Sequence, residues 1–330
     1  MGTPSPYFVD VMALQDMKLS TQPSSALRGK QTLLALLVLV AITSRAQAAW
    51  QLVRADARPV AIHETGLYRP DIGQRFGTDD IVETPASGGI QIQDEAGNIV
   101  ALGHDTRVML SRDAHIALLQ GWMKVRNACN TNDCAAPVIE TEHSRFLPAA
   151  DTALVIAAKA AGYQDTDAVF CESGTASVSA IAGSHGKPVS LRVDAHGFAT
   201  HSTAQEPVTL ATQPDSAFIA SMPVAFRDAL RTIPALTTVH NDPPKDMRPV
   251  AYDDVSDWLA SSLAVRTAPP TRFTARFRAR LSDGAFQHAI KQNIRELPDW
   301  RPLVYPPPRV LARSTAFQQR SPYSSDSVHP

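Results

Sequence analysis

The run from Asp80 to Leu110, D-I-V-E-T-P-A-S-G-G-I-Q-I-Q-D-E-A-G-N-I-V-A-L-G-H-D-T-R-V-M-L, decides the fold class. Ile90 and Ile92 alternate with Gln91 and Gln93, the turn-forming stretch Asp94-Glu95-Ala96-Gly97-Asn98 follows, and Ile99, Val100 and Leu102 resume the apolar pattern. Alternation with period two points one face of a strand at a core, and Gly, Asn and Asp between two such runs read as a hairpin turn. Outward from this hairpin, between Thr78 and Leu210, Gly, Pro, Asn and Asp break the chain roughly every ten residues into short apolar and β-branched pieces, the signature of an all-β unit. Further strands are expected at Arg107–Leu110, His115–Val125, Val138–Thr141, Ala153–Ala158, Ala168–Glu172, Ala176–Ile181, Val189–Val193 and Val208–Ala211.

The same run, followed by I-A-L-L-Q-G-W-M-K-V from Ile116 to Val125, resembles the FecR domain of bacterial envelope proteins. The family's V-x-T opening matches Val82-Glu83-Thr84; its D-G-type turn, S/T-x-V/I-x-L strand and L-x-x-G-x-x-x-V strand follow in order. A looser echo runs through Val138–Thr141, Ala168 to Gly174, and Lys187-Pro188-Val189-Ser190-Leu191 leading to Gly197-Phe198, with Asp151-Thr152-Ala153-Leu154 where the family has G-T-x-F. The two halves suggest a weak two-fold internal repeat of strand, turn, strand. The resemblance covers about residues 76–200 and implies a periplasmic sensing or interaction module with no catalytic residues to transfer. Regulators of that family also carry a cytoplasmic segment that controls a sigma factor; this chain is expected to have a cleavable leader in place of the membrane span, so that role is not implied.

The leader is read from residues 1–48. Arg28 and Lys30 precede the unbroken apolar run Leu33–Ile42, and Ala46-Gln47-Ala48 fits a cleavage site before Ala49. As a helix, Thr32–Ile42 would be about 16 Å long, half of a hydrocarbon core of about 30 Å, so no transmembrane span is expected after cleavage. Met17 is an alternative start. Removal of 48 of the 330 residues would leave a mature chain of 282 in the periplasm of a Gram-negative cell, or secreted further.

Export bears on the three cysteines. An oxidising compartment favours a disulfide between Cys129 and Cys134, across the polar turn Asn130–Asp133, while Cys171 lies in an apolar strand and is expected to be buried and inert. The C-x4-C spacing lacks a second pair, and the ten histidines are scattered singly with no H-E-x-x-H, so neither a metal site nor a cofactor is expected. Gly183-Ser184-His185-Gly186-Lys187 has Pro188 where a phosphate loop needs Ser or Thr, and Ser184 lacks the G-x-S-x-G frame. Asp194, His196 and Ser202 could be written as a triad, but any chain of this length offers such triplets. No catalytic residue is assigned.

A composition of 44% hydrophobic and 19% charged residues excludes a disordered chain, and 25 prolines against 16 glycines without a repeat excludes collagen. The net charge of −1 is a cancellation: residues 49–263 carry 16 bases and 26 acids, residues 264–320 carry 11 bases and 3 acids. Short helices are expected at Val224–Ile233 and Val255–Leu263, either side of a Pro-rich joint. From Arg272 to Leu281 apolar and polar residues alternate at every position, which favours a strand with a basic face; a helix would place Arg276 and Arg280 among the apolar residues. Ser282 could then cap a helix with Phe286, Ala289, Ile290, Ile294 and Leu297 on one face.

The expectation is therefore a mainly β chain with a small α+β C-terminal extension. Its parts are a signal peptide (1–48), an N-terminal lead-in (49–75), a FecR-like β domain (76–212), short helices and a Pro-rich joint (213–263), a basic strand-helix extension (264–310) and a disordered tail (311–330). The function expected is a non-catalytic binding or sensing module whose partner is an envelope protein or glycan. The basic strand either docks on the acidic body or forms, through Arg272, Arg276, Arg278 and Arg280, a face for anionic lipid headgroups or lipopolysaccharide. An envelope hydrolase is the rival; nucleic acid is not expected.

Overall fold

The computed structural model describes residues 50–129, 134–181, 189–202, 206–234, 236, 238–269 and 272–306. The expected leader, the turn at 130–133, the loop at 183–188 and the tail at 311–330 lie outside the described residues. Among the described residues seventeen strands are formed: β1 (Gln51–Ala55), β2 (Val60–His63), β3 (Gly66–Tyr68), β4 (Asp80–Glu83), β5 (Ile90–Gln93), β6 (Ile99–Leu102), β7 (Arg107–Leu110), β8 (His115–Asn127), β9 (Val138–Glu140), β10 (Ser144–Pro148), β11 (Thr152–Ala158), β12 (Asp167–Ser173), β13 (Thr175–Ala180), β14 (Ser190–Asp194), β15 (Phe198–His201), β16 (Thr209–Ala211) and β17 (Arg248–Pro249). The chain is mainly β, and the hairpin read from the sequence is β5–β6, with Gln91 opposite Ala101 and Ile92 opposite Val100.

The strands pair into one mixed sheet folded on itself. One wing, sheet I, runs β1-β5-β6-β8-β11-β12-β15-β16. The other, sheet II, runs β17-β3-β2-β4-β7-β8-β9-β10-β13-β14. Every pairing is antiparallel except β8 with β9.

The long strand β8 belongs to both wings and joins them. Along its first half Ile116 and Leu118 face the core between the wings while Ala117 and Leu119 face outward; along its second half Met123 and Val125 face inward. Five positions separate Leu118 from Met123, so the alternation slips by one residue. The slip is a bulge opposite Arg107 and Val108, which pair with Gln120 and Leu118. Gly121 sits there at φ +99°, and a Cβ at that position would lie 2.4 Å from Thr106 Oγ1, so only glycine lets the strand pass from one wing to the other.

The core has three layers. Between the wings lie Leu52, Ile92, Val100 and Leu154 of sheet I against Val82, Val108, Phe146 and Val178 of sheet II. The outer face of sheet II (Ile62, Ile81, Met109, Ala117, Leu119) is covered by Trp258, Leu259, Phe273, Phe277, Phe286 and Trp300 from the C-terminal third. The outer face of sheet I (Ala101, Trp122, Val155, Ala157, Phe198) is covered by Phe218 and Phe226. With both faces buried, strands read as continuous apolar runs, which accounts for I-A-L-L and A-L-V-I.

The two-fold repeat is present in the pairing. In the first half β4 pairs with β7, β7 with the first part of β8, β5 with β6, and β6 with the second part of β8. In the second half β10 pairs with β13, β13 with β14, β11 with β12, and β12 with β15. The pair β14 and β15 thus stands where the two parts of β8 stand. A threonine clasp repeats as well: Thr106 N–H donates to Thr84 Oγ1 (2.8 Å) and Thr175 N–H to Thr152 Oγ1 (3.1 Å).

Four expectations are corrected. The lead-in 49–75 supplies β1, β2 and β3 and is part of both wings. Of Val224–Ile233 only Val224–Arg227 forms a 3-10 turn; a helix, α1 (Ser216–Ser221), precedes it, capped by Asp215, whose carboxylate accepts from Phe218 N–H. The second expected helix is α2 (Ser256–Ala260). Arg272–Leu281 is helical, not extended: after α3 (Ala264–Thr267) come α4 (Phe273–Arg276) and a 3-10 turn over Arg278–Ser282. Phe273 and Phe277 at i and i+4 both enter the outer layer of sheet II, and helix-forming Ala and Arg do the rest. The cap of α5 (Gly284–Gln292) is Asp283, which accepts from Ala285 and Phe286 N–H, rather than Ser282.

Candidate binding cleft

On β5 and β8 the inward residues are Ile90, Ile92, Met123 and Val125, so Gln91, Gln93 and Lys124 emerge on the outer face of sheet I. Register sets Gln91 opposite Ala101 and Ala101 opposite Lys124, a row across three adjacent strands. Residues 222–234 lie over this row as a strap held by its backbone. Lys124 Nζ donates to Phe226 O (2.8 Å) and Asp228 O (2.8 Å), Gln91 Nε2 to Arg231 O (3.0 Å), and Gln93 Nε2 to Ile233 O (3.0 Å). Ile233 N–H donates back to Gln93 Oε1 at 2.7 Å, so one glutamine reads both polar groups of one residue.

Lys124 is wholly buried, and its charge is met by Glu172 of β12 at 2.8 Å. Three contacts use its three donors, as a buried ammonium requires. The strap itself buries few side chains. Phe226 enters the aromatic layer formed by Trp122, Phe198 and Phe218, Met222 and Leu230 pack at its margin, and Val224 is 72% exposed. Phe218 sits at the centre of that layer, with ring centroids 5.0 Å from both Trp122 and Phe198. Trp122 Nε1 is buried there without an acceptor among the described residues.

Beside the strap opens a cleft of about 860 Å³, lined by Arg54, Asp56, Gly89, His104, Val224 and Arg231 among others. Its size is that of a ligand site, and backbone, charged and apolar groups converge on it.

The four arginines of the expected basic face do not act together. Arg276 donates to Ile62 O (3.1 Å), Glu64 O (2.8 Å) and Asp79 O (2.6 Å), and its guanidinium carbon lies 5.1 Å from the Phe277 ring. Burial pushes its pKa down, while Asp80, Asp79 and Glu64 oppose the shift. Arg280 donates to Val250 O (2.8 Å) and pairs with Asp283 (2.9 Å). The helix does place these two among the apolar residues, and they serve as pins that dock the basic segment on the body. Arg272, which donates to Thr267 O, and Arg278 are exposed.

Cys129 and Cys134 are disulfide-bonded with a Cα–Cα distance of 5.8 Å. Cys171 is buried, and burial, with Asp194 nearby, pushes its thiol up to about 11, so the nucleophilic thiolate is disfavoured. Asp194, His196 and Ser202 are not gathered: Asp194 pairs with Arg192, His196 N–H donates to Cys171 O, and Ser202 meets Thr166.

A serine–histidine–acid group that the sequence did not reveal joins β10, β12 and β15. Ser144 Oγ lies 3.0 Å from His201 Nδ1, His201 Nε2 lies 3.0 Å from Glu206 O, and the Thr141 hydroxyl donates to Asp167. Burial raises the Asp167 pKa. Ser144, His201 and Asp167 are all buried, and a nucleophile needs an approach for substrate; this group cross-links strands. Among the described residues no group of three or more His, Cys, Asp or Glu is placed to hold a metal, and no helix is long and apolar enough to cross a membrane.

No family model matches the chain, and no curated protein does. Two crystal structures of a candidate anti-sigma factor from Parabacteroides distasonis ATCC 8503 are similar to it at a TM-score of 0.33 and 12% identity. The likeness spans 42% of this chain and 61% of that one, less than two thirds of its length. At that score and identity it carries neither a fold assignment nor a function to this protein.

Proposed function

We propose that this chain is an exported, non-catalytic, FecR-like binding or sensing module of the cell envelope, and that its working surface is the cleft beside the strap, where it recognises another envelope protein. The observation that carries the reading is the cleft: an open site of about 860 Å³ lined by Gln91, which together with its neighbours Gln93 and Lys124 holds the backbone of the strap along one side. The Cys129–Cys134 disulfide fits an oxidising compartment, and the leader-like N-terminal sequence supports the periplasm or beyond. The resemblance of residues 80–125 to the FecR pattern supports a sensing role, and it rests on the sequence alone.

A photo-crosslinking residue placed at His104 or Val224 in the full chain tests this in the intact envelope. A discrete protein adduct is expected from these positions and not from exposed Lys291 on α5. Identical adducts from all three positions, a glycan adduct, or none at all would overturn the reading.

A further inference from the structure

Resting on that proposal, we infer that the strap occupies, in cis, a peptide-binding face, and that the partner's contribution is a peptide with apolar anchors four residues apart that adopts the strap's backbone path and takes its place.

Three observations lead there. First, the face reads backbone. Five hydrogen bonds run between Gln91, Gln93 or Lys124 and main-chain groups of Phe226, Asp228, Arg231 and Ile233, and none depends on what side chains those residues carry. Main-chain bonds supply affinity for any peptide that follows the strap's path, a 3-10 turn and the irregular backbone after it, and pockets for a few side chains supply selection. Second, the selecting contacts are few and regularly spaced. Met222, Phe226 and Leu230 pack into the aromatic layer, while Ala225, Arg227, Asp228, Ala229 and Arg231 face solvent. Third, the strap's fit is incomplete. The cleft lies open along its flank, and Trp122 Nε1 is buried in the same layer without an acceptor among the described residues. An unmet buried donor costs about 1–3 kcal/mol, so a peptide that offered it a carbonyl would hold an advantage over the strap.

The strap has the means to leave. It is bounded by Pro223 and Pro234, and the backbone is fastened to the body again at His240, which exchanges main-chain hydrogen bonds with Gly73 and Arg75, so residues 222–234 can lift between fixed ends. Its departure would expose the Lys124 ammonium beside Glu172, so the uncovered face would offer a cation to the carbonyls of the incoming chain.

The probe is a fluorescein-labelled synthetic peptide of residues 222–234, M-P-V-A-F-R-D-A-L-R-T-I-P, added to the full purified chain. Phe226→Ala weakens the strap without touching the face beneath it. Binding to Phe226→Ala is expected at least ten-fold tighter than to the unaltered protein. The gain should vanish when Lys124→Met is added, and a scrambled peptide should not show it. Trypsin cleavage after Arg227 and Arg231 should quicken in step. Should Phe226→Ala fail to fold, Ile233→Pro removes the N–H that meets Gln93, along with the isoleucine side chain, and carries the same comparison. Peptide binding no tighter in either variant, or a gain that survives Lys124→Met or scrambling, overturns the inference. This assay needs no partner, so its failure leaves the crosslinking result standing, and a missing crosslink leaves the peptide result standing.

Discussion

Replacing Lys124 with methionine isolates the contact on which the strap depends. Methionine keeps most of the stem and removes the ammonium, which strands the Phe226 and Asp228 carbonyls and leaves Glu172 alone. Hydrogen bonds from a charged donor are worth about 1.5–3 kcal/mol each, so the two carbonyl bonds together set a ceiling of about 6 kcal/mol. The Glu172 side chain is 29% exposed and recovers water once unpaired, and the strap carbonyls gain solvent when the strap lifts, so the expected loss is about half of that, roughly 3 kcal/mol. For a chain of this size such a loss lowers Tm by roughly 6–12 °C. Urea unfolding followed by tryptophan fluorescence measures the stability, and limited trypsin digestion, read by mass spectrometry at Arg227 and Arg231, reports the strap. In the double variant with Glu172→Gln, the two losses should sum to clearly more than the measured total, because the groups share one interaction. A loss below about 1 kcal/mol with unchanged cleavage would refute the reasoning, since a buried charge with three partners cannot be that cheaply removed.

Three further outcomes are expected. Arg276→Met removes the donor for the carbonyls of Ile62 in β2 and of Glu64 and Asp79 in the turns beside it, and should cost about 3 kcal/mol and loosen the C-terminal third, seen as earlier exposure of Trp258 and Trp300 in quenching experiments. Gly121→Ala forces a Cβ to within 2.4 Å of Thr106 Oγ1 at a positive φ; destabilisation of at least about 3 kcal/mol in urea is expected, and a near-neutral result would mean that β8 crosses between the wings differently. His63 has its pKa raised chiefly by the hydrogen bond that its Nδ1–H donates to the Asp80 carboxylate, 2.7 Å away. A raised pKa stabilises the fold fully below the unfolded value of about 6.5 and ceases to do so as pH climbs through the folded value. The stability difference between the unaltered protein and His63→Gln should therefore be full below the unfolded value of about 6.5 and shrink as the pH rises above it, and a difference that does not change with pH would contradict the pairing.

How far the sequence disclosed the fold follows from which signals survive at short range. Strand β10, S-R-F-L-P, was missed because it offers two apolar residues beside a proline, whereas the β5–β6 hairpin and strands β7, β8, β9, β11, β12, β13 and β14 were legible because alternation and turn residues act locally. Strands β1 to β3 were not, since Q-L-V-R-A, V-A-I-H and G-L-Y are three to five residues each and owe their pairing to partners far along the chain. Arg272–Leu281 satisfied both periods. What decided it was tertiary: carbonyls of Ile62, Glu64 and Asp79 wait at the spot where a helix delivers Arg276. The cleft escaped notice for a related reason. Gln91, Gln93 and Lys124 looked like the ordinary solvated face of strands, and only a cover more than a hundred residues away turns that face into a site. One clue was available: three long polar side chains on the outer face of strands whose neighbours are otherwise apolar.

The shared strand β8 has a consequence for how this protein can be divided. The first repeat ends on the strand against which the second begins, since β11 and β9 pair with β8 just as β5 and β4 pair with β1 and β2. Neither repeat owns all of its own edges. A cut at the disulfide loop leaves an upstream fragment with a bare β8 and a downstream fragment without the strand that templates it, so the halves are not separable domains but links of a chain, each lending its last strand to the next. The lending stops at β16, three exposed residues beside β15, where a third link would have begun.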